Sequence, residues 1–285
     1  MSLEQLLNLI GEIAEIPSFS SFEEVIHPYI FEKTEPIPGI KIHRVHDNNL
    51  VLEIPGAPKA KPIALSAHLD KINHFGENPP DTLPFRQTSD YLEGQMDDSV
   101  GLGICLALAL QSRFEYFPPL LVLLSEMEEG FGLRKHPHLL KNKGKGYHHG
   151  IGAERISEFL VKEDKLPAAV ITVDTTPLFK GEPGMVLYSE HWQFTKTTPS
   201  EGEKSVTKNL VDKLLRVDPN ITLFNNTNDY LTYGKYLNTP AGPPVPSVAI
   251  EPAIFPYHQK NERVFVDDIQ KVYANLKSFL INEGE

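Results

Sequence analysis

The feature that most restricts the fold of this chain is a repeated pairing. Short apolar runs of strand length end, one after another, on a histidine or a carboxylate. Residues 61–67 lead into His68-Leu69-Asp70, residues 120–125 into Glu128-Glu129, and residues 168–173 into Asp174. Helical patterns lie between these runs. Residues 2–15 place Leu3, Leu6, Leu7, Ile10 and Ile13 on one helix face, and Pro17 stops the pattern. Further helices are predicted after Ser20 or Ser21 to about Lys33, over 100–111 behind Asp97-Asp98, and over 151–163, 201–216 and 266–281. Strands are expected at 41–45 and 50–54, around an Asp-Asn-Asn turn, and at 247–250. Residues 71–93 read as irregular, and 133–150 as a loop rich in His, Lys and Gly. Strands alternating with helices predict an α/β fold. A mixed, mostly parallel central sheet is sandwiched by helices in a single domain over 1–285.

Composition narrows the function classes. A chain with 40% hydrophobic and 23% charged residues can bury a real core. Its formal charge of -11 argues against nucleic acid or an anionic membrane as partner, because both require basic patches. No run approaches the roughly 18 apolar residues that span a bilayer. The acids in the first fifteen residues interrupt what a signal peptide would need, and the single cysteine, Cys105, cannot form an internal disulfide. A cytoplasmic chain is the expectation.

The residues at the element ends share a chemistry. In open α/β sheets, sites form beyond the carboxyl ends of the strands. His68, Asp97, Glu129, Asp174 and His258 supply two imidazoles and three carboxylates, donors suited to zinc or a similar divalent ion. Five side chains can serve two ions if one carboxylate bridges. A free carboxylate is then needed to move a proton, and another to orient a ligating histidine. Each motif alone has a plainer explanation. Glu128-Glu129 would be a solvated pair, Asp97-Asp98 a helix cap, Asp174 a turn residue, and His258 a surface residue. Their succession at element ends is what favours a site.

In order, HLD, GQMDDSVG, EMEEGFG, VDTT and HQKNE resemble the motifs of the co-catalytic di-zinc exopeptidase superfamily, which includes aminopeptidases and deacylases. The resemblance runs from the Ile16-Pro17-Ser18 segment and Asn48-Asn49 to the last helix. It implies a hydrolase acting on peptide or N-acyl amide substrates, two divalent metal ions of the zinc type, and a possible homo-oligomer. Residue by residue, it implies His68 and Asp174 on one metal, Glu129 and His258 on the other, and Asp97 between them. Glu128 matches the general base and Asp70 the acid that orients His68. Glu262 falls at the family's closing acid, in a supporting place, and Asp97–Asp98 at a peptide bond that is often cis. The stretches between His68 and Asp97 and between Asp174 and His258 are too short for a full lid domain, so the lidless aminopeptidase branch fits best. A dipeptidase, carboxypeptidase or deacylase, a one-zinc glutaminyl-cyclase-like acyltransferase, and a non-catalytic binding module are the rivals. His136, His138, His148 and His149 are a weaker metal candidate. His74, His191 and Asn228-Asp229-Tyr230 could line the pocket.

Overall fold

The protein is described by a computed structural model over residues 1–238 and 242–285. Helix α1 (Leu3–Ala14) starts on a capping box between Ser2 and Gln5. The second predicted helix is divided: a 3-10 turn over Glu23–Ile26 precedes α2 (His27–Thr34), with a proline in the first turn of α2. The antiparallel pair β1 (Lys41–Val45) and β2 (Asn49–Ile54) leads to β3 (Ile63–His68). Next come two short strands, β4 (Arg86–Gln87) and β5 (Tyr91–Gly94), and then α3 (Ser99–Gln111). After these follow β6 (Leu120–Ser125), α4 (Gly130–Lys135), α5 (Ile151–Lys162), β7 (Ala169–Val173) and β8 (Met185–Tyr188). The rest comprises α6 (Trp192–Thr195), α7 (Glu201–Val217), β9 (Thr222–Phe224), α8 (Asp229–Leu237), β10 (Ser247–Pro252), β11 (Glu262–Phe265) and α9 (Val266–Gly284).

Eight strands form the main sheet in the order β1-β2-β6-β3-β7-β10-β8-β9. Its centre, β6-β3-β7-β10, is parallel, while β1, β2 and β8 pair antiparallel. Alternation along the strands fills both faces, because successive side chains point to opposite sides. In β6, Leu120, Val122 and Leu124 join one core and Leu121 and Leu123 the other; in β7, Ile171 and Val170 divide the same way. The first core is closed by α1, α3, α7 and α9, and the second by α5 and α8. This is the predicted mixed α/β sandwich. Helix α3 is buried at all but one of its positions, as an all-round apolar helix must be. It reaches the sheet closely at Gly101, where any Cβ would stand 2.1 Å from the carbonyl oxygen of Val173.

Several regions differ from expectation, among them β8, β9 and α8, which fall where no element was predicted. Residues 71–93 are not wholly irregular, since β4 and β5 join β11 in a three-stranded antiparallel sheet. Strands of two to four residues carry too few alternations to be read from periodicity. The segment 133–150 begins inside α4 and continues through 3-10 turns at Pro137–Leu139 and Lys141–Gly144. No described helix is long and apolar enough to cross a membrane.

Candidate metal centre

The parallel strands deliver their C-terminal ends to one place. His68 is the last residue of β3, Glu128 and Glu129 follow β6, Asp174 follows β7, and His258 lies in the loop between β10 and β11. Asp97 arrives from the small sheet. Pairing of Glu262 with Gly94 brings the β11 end beside the chain entering α3. The Glu262 carboxylate then accepts from the amides of Met96 at 2.9 Å and Asp97 at 3.2 Å. The peptide bond between Asp97 and Asp98 is cis.

Asp97 is the hinge of the geometry. One of its oxygens is 3.1 Å from Nε2 of His68, and the other is 3.7 Å from Nε2 of His258. Asp174 stands 3.9 Å from His68 Nε2 on the first side, and Glu129 stands 3.4 Å from His258 Nε2 on the second. Among the described residues, two overlapping trios have donor atoms all within 4.8 Å of one another: His68, Asp97 and Glu129, and His68, Asp98 and Asp174. Asp98 is also tied to the backbone. Its two oxygens already accept from Gly101 N at 2.7 Å, as the cap of α3, and from His68 N at 3.3 Å.

The donor chemistry fits divalent ions. His68 Nδ1 lies 2.9 Å from the Asp70 carbonyl oxygen, which can only accept, so that nitrogen carries a proton. Nε2 then faces carboxylates. Burial works against a charge on this ring, but Asp70, Asp97 and Asp174 outweigh it and raise the pKa well above the ordinary value. A divalent cation at Nε2 would take the place of that second proton. The acids show the same crowding. Burial and Asp97 push Asp174 up to about 8, and burial with Asp97 and Glu128 holds Glu129 well above the carboxylate range. Glu128, also raised by burial, belongs to neither trio yet feels the charges of His68, Asp174 and Asp97. Burial lowers His258, which favours the neutral, ligating form.

The structure brings His68, Asp97, Glu129, Asp174 and His258 together, with Glu128 beside them. Asp70 meets His68 less directly than expected, with a carboxylate oxygen at 3.4 Å. That carboxylate instead accepts from the amides of Glu128 at 2.9 Å and Glu129 at 3.1 Å and from the Ser20 hydroxyl at 2.8 Å. Glu262 supports Asp97, as placed above. His191 is buried against Glu203 at 2.8 Å. Asn228 caps α8, and Asp229 accepts from Ser125 at 2.5 Å. The histidines of 133–150 enter neither trio. His149 bonds the Glu128 carbonyl, a link that sequence reasoning missed. Tyr257 was also missed; its ring stacks on His258 at 3.7 Å, and a tyrosine next to a proposed ligand was the only signal.

No family model matches the chain, and no curated protein matches it in sequence. Solved structures match in fold. The aminopeptidase PepT of Bacillus cereus is 12% identical with a TM-score of 0.66, and the match covers 100% of each chain. The TET1 peptidase of Pyrococcus horikoshii, which can assemble into a tetrahedron or a large octahedral shell, is 13% identical with a TM-score of 0.64. That match covers 98% of this chain and 99% of the other. An endoglucanase of Thermotoga maritima is 11% identical with a TM-score of 0.60, covering 96% of this chain and 97% of its own. The resemblance carried by the motifs is thus matched at the level of the fold, and the bond that is cleaved must be argued from the site.

Proposed function

We propose that the protein is a metal-dependent amide hydrolase, an aminopeptidase that releases N-terminal residues with the help of two zinc-type ions. The observation that carries this reading is Asp97, whose two oxygens face His68 on one side and His258 on the other. Asp174 completes the first set and Glu129 the second. When bound, such a pair of ions polarises the scissile carbonyl and makes water acidic enough to attack near neutral pH. Glu128 holds the proton given up by the attacking water and delivers it to the departing amine nitrogen. Asp70 fixes the backbone that carries Glu128 and Glu129, and the Asp70 carbonyl sets the His68 tautomer. The whole chain forms one catalytic domain without a full lid.

The bond preference is tested by paired substrates. Zinc-loaded protein is expected to hydrolyse aminoacyl amides and short peptides with a free N-terminus, and their N-acetylated counterparts at least about tenfold more slowly, one lost charged contact being worth that factor. Faster release from the acetylated compounds would point to a deacylase, and cleavage governed by the free carboxyl end to a carboxypeptidase.

Homo-oligomerisation is part of the proposal, supported by the assembly of TET1 on this fold. Light scattering is expected to give a mass that is a multiple of 32.0 kDa. A strictly monomeric mass would remove this part of the reading.

A further inference from the structure

The turn that carries Glu128 and Glu129 makes unusual use of its backbone. Four consecutive amides, those of residues 126 to 129, donate to side chains from distant segments. Glu126 N donates to Asn49 Oδ1 at 2.9 Å, Met127 N to Glu23 Oε1 at 3.2 Å, and the next two to Asp70. Met127 is left-handed, with φ of 57°, a conformation that a non-glycine residue adopts only when its surroundings enforce it. The group that grips its amide is Glu23, at the start of the 3-10 turn before α2, and its side chain is fully buried.

We infer that Glu23 is a positioning residue for the proposed reaction: it holds Met127 in the left-handed bend that aims Glu128 and Glu129 at the metal centre. The inference rests on the function proposed above and adds a residue that lies outside the ligand set. Glu23 is well fixed for the task. Its Oε1 also accepts from Ser21 N at 2.8 Å, and its Oε2 from Asn48 Nδ2 at 2.7 Å. Asn48 N in turn donates to Glu126 Oε2 at 3.2 Å, and Asn49 Nδ2 to Glu126 Oε1 at 2.7 Å. Arg155 adds an ion pair to Glu126 at 2.6 Å. Glu23, Asn48, Asn49 and Asp70 therefore hold the turn from three separate parts of the chain. Burial, with Asp70 and Glu126 nearby, pushes the Glu23 pKa up to about 8, and a buried carboxyl group is costly unless its hydrogen bonds are made, as these donors make them. Loss of the Met127 contact frees the bend to relax, and a displacement of about 1 Å in a reacting group can cost on the order of 10²-fold in rate.

The test compares Glu23→Asp, Glu23→Ala and Glu23→Gln in the full-length, zinc-saturated protein. Asp keeps the carboxyl group but is one methylene short of the Met127 amide. Gln retains an oxygen for Met127 and Ser21, and the Asn48 amide can turn to meet its nitrogen. Asp and Ala are expected to lower kcat by roughly 10- to 100-fold. KM should stay within about threefold of the original protein, a margin of under 1 kcal/mol, and saturating zinc keeps any loosening of Glu129 from entering the comparison of kcat. Gln should retain most of kcat. Backbone hydrogen exchange at residues 126–129 is expected to speed up in Asp and Ala but not in Gln. The exchange measurement stands even if Ala fails to fold or the original protein cleaves no peptide, which would count against the proposed function alone. The inference is overturned if folded Glu23→Asp keeps its rate and its exchange protection. It is equally overturned if Gln loses as much as Ala.

Discussion

A Glu128→Gln variant is expected to bind its metals normally and to lose turnover by at least about 10²–10⁴-fold, the contribution typical of a positioned general acid–base group. The reasoning is geometric. Glu128 is outside both donor trios and is not one of the five proposed ligands, yet its carboxyl group feels the charges of His68, Asp174 and Asp97. Gln fills the same volume and keeps the backbone amide that donates to Asp70. It has no site for the travelling proton. Steady-state kinetics with the best peptide substrate, alongside zinc content, decides the matter. A folded, fully loaded Glu128→Gln enzyme with undiminished kcat would remove Glu128 from the reaction.

Stripping the metal is expected to lower the thermal midpoint by on the order of 10 °C. A ligand at a hundred times its Kd stabilises by about 2.7 kcal/mol per site, and the proposed centre has two sites. The pH dependence has a definite sign. Asp174 titrates at about 8 in the folded protein against an ordinary 3.8, so the protonated acid is what the metal-free fold prefers. A raised carboxyl gives stability that is fully present below the unfolded value and is lost as pH climbs through the folded one. The metal-free protein should therefore melt progressively lower between about pH 4 and pH 8. The loaded protein should gain relative to it over the same range, because ions bind the deprotonated acids. Calorimetry of chelated and zinc-loaded samples at several pH values is the check. Coincident midpoints at every pH would mean that no ion is held by these residues.

Much of this arrangement was legible in the sequence because the relevant signals are local. His68, Glu129 and Asp174 stand at the ends of apolar runs, and a parallel sheet brings such ends to one edge. Burial on both faces makes β3, β6 and β7 continuous apolar segments, which are easy to find. Asp97 was legible at the start of a predicted helix, and His258 mainly through motif order. What unites them is a small sheet whose strands β4, β5 and β11 are too short to show a period. Nor did the Asp70 carboxylate announce that it would grip two amides, or Glu23 that it would reach a residue 104 positions away. Such contacts pair a side chain with a backbone group, and every residue but proline offers the same N–H. No residue type at position 127 could have signalled its partner.

The central claim is that one bridging aspartate and four further side chains hold two ions. Elemental analysis tests it most directly, on protein purified without chelator or metal-affinity tag and then reloaded with zinc, beside a Glu129→Ala variant. The account predicts about two zinc-type ions per chain, as Asp97 and the four side chains around it imply, and a clear loss in the variant. A single ion present equally in both proteins, or none in either after reloading, would contradict it.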